Sequence, residues 1–98
     1  MEDHPTHAYA HHRLGVVSDK LRQFDEAERH YQAALNYLSP QDRRNISLVF
    51  SDLGYSYLLQ GDFTRSERAL NNALAFDQNS RIALRNLALL HGYRGNFA

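Results

Sequence analysis

The sequence predicts an all-α chain of five amphipathic helices, arranged as two complete antiparallel hairpins and the first helix of a third. Three observations carry this. Phe50, Leu53, Gly54, Tyr57 and Leu58 recur at spacings of three and four, which gathers them on one face of a helix. Gly61-Asp62 then breaks the pattern; glycine accepts the left-handed conformation after a helix and aspartate caps the next one. A turn that short obliges the two helices to lie antiparallel and pack on each other. The third observation is recurrence: Leu14-Gly15 lines up with Leu53-Gly54, and Leu87-Ala88 follows them by 34 residues, the mark of a helical repeat array.

The first helix is expected from about His7 to Lys20 with Thr6 as its N-cap, and residues 1–5 are expected to be loosely held. Ala10, Leu14, Val17 and Leu21 form its apolar stripe, thin and interrupted by histidines. The second helix, residues 24–38, opens with Asp25, Glu26 and Glu28, favourable against the positive end of the helix dipole. Ser39-Pro40 reads as an N-cap and first-turn pair with Asp42 in the capping-box position, so the third helix is expected to begin near Pro40. The first two repeats are spaced five residues wider than the 34 seen afterwards, and a third helix extended at its start by QDRRN would absorb that excess; the alternative is a loop over residues 39–44. The fourth helix runs from Phe63 to Phe76, with Ser66 and Ala73 as small positions on its inner stripe. Residues 77–80, DQNS, supply a turn and a cap, and the fifth helix, residues 81–94, is apolar around most of its circumference.

In register, Phe24 matches Phe63, Ala27 matches Ser66, Tyr31 matches Leu70, Ala34-Leu35 matches Ala73-Leu74, and Gly95-Asn96-Phe97 copies Gly61-Asp62-Phe63. On these residues the chain resembles the tetratricopeptide repeat family across nearly its whole length. The resemblance implies a right-handed α-α superhelix in one domain, residues 1–98, with repeats at 8–40 and 47–80 and a partial repeat at 81–98. It departs from the family pattern at His11, Ser18 and Gln78. After the fifth helix no partner helix follows in the sequence given. Either the chain is a fragment of a longer repeat protein, or the fifth helix is a cap whose residual apolar face serves self-association or partner binding.

Composition excludes several classes of function. Ninety-eight residues make one domain with a modest core. Eleven acidic and eleven basic residues balance, so no strong basic field points to nucleic acid or an anionic membrane. There is no cysteine, which removes thiol chemistry and Cys-based zinc sites. No signal or apolar span is visible, and a cytoplasmic location is the expectation.

Little in the chain suggests catalysis. His7 and His11, four apart on one helical face with His4 and His12 nearby, are candidates for divalent-metal ligation and for the alternative reading, a small metal-binding or enzyme-accessory domain. The nearby acids are Glu2, Asp3 and the more distant Asp19, and His30 and His91 stand alone in the sequence. Asp25, Glu26 and Glu28 read as a solvated face, Asp52 as a surface acid and Asp62 as a cap. No separated acid/base pair or activated nucleophile is formed, so no enzymatic activity and no cofactor are expected.

The family resemblance implies instead a concave groove lined by the first helix of each pair. Carried over in register, its lining is Tyr9, His12 and Val16; Ser51, Tyr55, Leu58 and Leu59; and Arg85, Asn86, Leu89 and Tyr93. Family members that clamp a C-terminal carboxylate use Lys, Asn and Arg at places that here hold His12, Val16, Asp52, Ile82 and Asn86, so no clamp is expected. The expected function is a non-enzymatic protein-interaction or scaffold module taking an apolar peptide or helix, with Tyr55 and Tyr93 as anchors. Self-association through the fifth helix is a further expectation; nucleic-acid or membrane binding is not expected.

Overall fold

The computed structural model describes residues 5–95, and the expectations for Glu2, Asp3 and His4 and for Asn96-Phe97 lie outside them. Five helices follow in order: α1 Pro5–Lys20, α2 Phe24–Tyr37, α3 Arg43–Leu59, α4 Phe63–Phe76 and α5 Arg81–Tyr93. No strand occurs among the described residues. α1 packs on α2 and α3 on α4 as hairpins, while α2 meets α3 and α4 meets α5. The leading helices also touch, α1 with α3 and α3 with α5, whereas α2 and α4 do not meet. The second helices therefore splay apart, which bends the stack so that α1, α3 and α5 share the inner side.

Two small residues set the depth of the hairpins. A Cβ on Gly54 would lie 2.7 Å from Leu70 Cγ and Cδ2, and one on Gly15 would lie 2.5 Å from Tyr31 Cε1. α1 and α3 thus each receive a large side chain of the paired helix directly against the backbone. Ser66 reinforces the second hairpin by donating its hydroxyl to Gly54 O at 2.8 Å. The larger core joins Tyr31, Val49, Leu53 and Tyr57 across the two hairpins, and a smaller one joins Leu58, Leu70 and Leu90 across the second hairpin and α5.

Three expectations about elements are corrected. The stripe Ala10, Leu14, Val17 and Leu21 faces outward, with Leu14, Val17 and Leu21 46%, 48% and 62% exposed. The face of α1 that packs is Ala8, Gly15, Ser18 and Asp19, because the ring of Tyr31 fits only over Gly15 and that contact fixes the helix rotation. Thr6 lies inside α1, which already starts at Pro5. α3 begins at Arg43, not near Pro40: Ser39 spends its hydroxyl accepting from Gln41 N inside a turn and does not cap a helix. The extra residues form a turn closed by Asp42 N donating to Ser39 O at 2.9 Å.

The turns differ between repeats. Gly61 takes φ +79° and Asp62 caps α4 by accepting from Arg65 N. In the first hairpin the matching residues are Arg22, forced to φ +58°, and Gln23, whose side chain makes no cap. Ser80 caps α5 by accepting from Ala83 N.

Candidate functional site

The inner side carries two kinds of feature, a polar seam between the hairpins and an exposed aromatic and aliphatic face. The seam begins at Asp19, which aligns with Leu58 and is buried beside Tyr31, the residue that aligns with Leu70. An apolar pair in the second repeat is thus a hydrogen-bonded pair in the first. Tyr31 Oη donates to Asp19 Oδ2 at 2.8 Å and Ser56 Oγ donates to Oδ1 at 2.6 Å, tying α1 to both α2 and α3. Burial pushes the Asp19 carboxyl above its ordinary value, against the pull of these two hydrogen bonds, and the nearby Asp52 charge adds to the rise. Burial likewise pushes the Tyr31 hydroxyl up, with Asp19 reinforcing it.

Further along α1, His12 Nε2 donates to Asp52 Oδ2 at 2.5 Å, so Asp52 is a bridge between repeats and not a plain surface acid. On the outer side Tyr57 Oη donates to Glu28 Oε2 at 2.7 Å, and burial followed by that carboxylate pushes the tyrosine up to about 12. Glu28 is therefore a hydrogen-bond acceptor between α2 and α3, not part of a solvated face.

The N-terminal histidines form an aromatic seam. His11 stacks on Tyr37 at 5.7 Å between ring centroids, His7 meets the same ring edge-on at 5.2 Å, and the His11 and His30 Nδ1 atoms lie 3.1 Å apart. His30 thus has a partner across the first hairpin. No group of three or more His, Asp or Glu residues is arranged to hold a metal ion among the described residues.

The expected groove residues separate into two sets. Tyr9 and Tyr93 are 64% and 66% exposed, and Tyr55, Leu59 and Leu89 are 37%, 36% and 40% exposed. Arg85 is exposed, and His12 and Val16 are half-buried. Ser51, Leu58 and Asn86 are corrected: all three are buried and can present nothing to a ligand. Leu58 is held by Leu70 and Leu90. Asn86 Nδ2 donates to Ser51 O at 3.2 Å across the α3–α5 contact. These positions belong to the packing of one leading helix on the next, which register alone does not distinguish from the groove wall.

Sequence reasoning missed the Asp19–Tyr31–Ser56 network and the His12–Asp52 bridge. The usable signal was the alignment, since a carboxylate opposite Leu58 and a tyrosine opposite Leu70 demand each other as partners.

The fold and this inner face define an all-helical repeat protein built from stacked hairpins. Residues 8–39 match the tetratricopeptide repeat family, and the chain carries a tetratricopeptide repeat there. Such repeats generally mediate protein–protein interaction and are typically non-enzymatic. No curated protein matches the chain. No described helix is long and apolar enough to cross a membrane.

Proposed function

We propose that the chain is a non-enzymatic interaction module whose inner face holds an apolar peptide or helix of a partner protein. The observation that supports this most is the exposure of Tyr9, Tyr55, Leu59, Leu89 and Tyr93 on the three leading helices. Large apolar side chains left in water on neighbouring helices favour a ligand that covers them, and tyrosines fixed by a helix make strong anchors at low entropic cost. The residues of a carboxylate clamp are absent: His12 and Asp52 engage each other, and Asn86 is buried.

The test is selection of short peptides from a displayed random library on the immobilised chain. Retained peptides should lose binding to a Tyr55→Ala, Tyr93→Ala variant whose helical circular dichroism is unchanged. Equal binding to the variant would refute the assignment of the face. A second part of the reading is self-association through α5, supported by Leu84, 49% exposed, beside exposed Ala88 and His91. These are the positions at which α3 packs on α4 with Phe50, Gly54 and Tyr57. Light scattering at high concentration should show a dimer or larger species that Leu84→Glu dissociates; a strict monomer counts against it.

A further inference from the structure

Net charge is zero over the whole chain, but it is not spread evenly over the fold. The leading helices α1, α3 and α5 carry six basic residues, Arg13, Lys20, Arg43, Arg44, Arg81 and Arg85, and every one is exposed. They carry two acids, of which Asp19 is buried in its hydrogen bonds and Asp52 is occupied by His12. Every exposed charged residue on these three helices is therefore positive. On α2 the balance reverses, with Asp25, Glu26 and Glu28 against Arg29, and on α4 the two signs are mixed, Glu67 beside Arg65 and Arg68.

The basic residues sit among the apolar ones. Arg13 lies over the Tyr9 ring at 5.9 Å, and Arg85 is one turn before Leu89 on α5. Arg44 and Arg81 share a cleft with Leu48 and Ile82 between the starts of α3 and α5, where Asp77 is the acid. Of the six, Arg43 is committed elsewhere, donating to Ala75 O at 2.8 Å and covering Phe76. The other five form no ion pair among the described residues.

From this partition we infer that the segment bound on the inner face is acidic as well as apolar: a peptide or helix with Asp and Glu side chains interspersed among aliphatic or aromatic residues. The inference rests on the inner face being the binding face and adds the charge of what it binds. Carboxylates placed over Arg13, Arg85 and the Arg44–Arg81 cleft are attracted while the apolar residues cover Tyr55 and Leu89; a basic segment would be repelled at the same three places. The recognition is of side-chain carboxylates along the segment, and a free C-terminus plays no part in it. A polyanion such as RNA suits the face less well, because much of its exposed apolar surface is aliphatic, Leu59, Ile82 and Leu89, where stacking rings would be needed.

The experiment uses the peptides retained by the intact chain, resynthesised with amidated C-termini, beside versions with Glu and Asp replaced by Gln and Asn. Retained peptides should be enriched in Asp and Glu, and the neutral versions should bind about five- to tenfold more weakly. That gap should close in 1 M salt, where screening acts within about 3 Å instead of about 10 Å at 0.1 M. An Arg13→Glu, Arg85→Glu variant should lose the preference for acid while keeping its helical circular dichroism. Neutral or basic peptides that bind and still depend on Tyr55 and Tyr93 would overturn the acidic inference and leave the inner face standing. If no peptide is retained, both fall. A uridine oligonucleotide bound as tightly as the acidic peptides would also overturn the inference, in favour of nucleic acid.

Discussion

Gly54→Ala sets two well-known effects against each other. In an isolated helix alanine in place of glycine stabilises by about 1 kcal/mol. Here the new methyl would lie 2.7 Å from two carbons of Leu70 and 3.3 Å from Ser66 O. Leu70 is fully buried against Leu58 and Leu90, so its side chain has no space to withdraw into. The backbone is also held, by the Ser66 hydroxyl on Gly54 O. Overpacking of this kind costs about 1–3 kcal/mol, and so direct a contact lies at the upper end, leaving a net loss of about 1–2 kcal/mol. For a domain of this size that lowers Tm by roughly 5–15 °C. Thermal and urea unfolding followed by circular dichroism measure it. A double-mutant cycle sharpens the test: Leu70→Ala alone should cost about 2–5 kcal/mol, and at least about 1 kcal/mol less in the Gly54→Ala background, where the methyl fills part of the space left. A Gly54→Ala chain that is more stable than the parent would refute the close approach of α3 and α4.

Other predictions follow from the first hairpin. Asp19→Ala should destabilise by about 1–3 kcal/mol for each hydroxyl left unpaired, those of Tyr31 and Ser56, whereas Asp19→Asn keeps a partner for both. Because the folded carboxyl is raised above 3.8, the folded chain holds that proton to higher pH than the unfolded one. The Asp19 contribution to stability is then greatest in acid and declines as pH rises from the unfolded value through the folded one; chemical denaturation across that window should show the decline abolished in Asp19→Asn. Arg22→Gly relieves a left-handed backbone at φ +58° but removes the guanidinium from the Phe24 ring, 5.1 Å away. Arg22→Ala removes the same contact without the relief, so the glycine variant should be more stable than the alanine variant by about 1 kcal/mol. Leu14→Ser and Val17→Ser, on the outward face of α1, should each change stability by less than about 0.5 kcal/mol; losses several times larger would mean that α1 is rotated differently.

The helices and their pairing were legible because they rest on local rules. Gly61-Asp62 and Ser80 act as the turn and cap chemistry requires, and the stripe from Phe50 to Leu58 packs as its spacing says. What failed were judgements in which a local preference met a tertiary contact. The apolar residues of α1 suggested one inner face, and a ring seated on Gly15 imposed another. Ser39-Pro40 has the composition of a helix start, yet the serine hydroxyl caps a turn. Tyr9, Tyr55 and Tyr93 are exposed on the leading helices, whereas Ser51, Leu58 and Asn86, chosen by the same register, are buried in the packing between elements. The charge partition was hidden for another reason: a balanced total says nothing about which helices hold each sign until their faces are known.

The most direct measurement of whether the inner face is the binding face is a backbone amide NMR titration of the labelled chain with a selected acidic peptide. The shifts should concentrate on Tyr9, Tyr55, Leu59, Leu89 and Tyr93 and saturate together at one affinity. Shifts that map instead to the outward residues of α2 and α4, such as Asn36 and Asn72, would contradict the account.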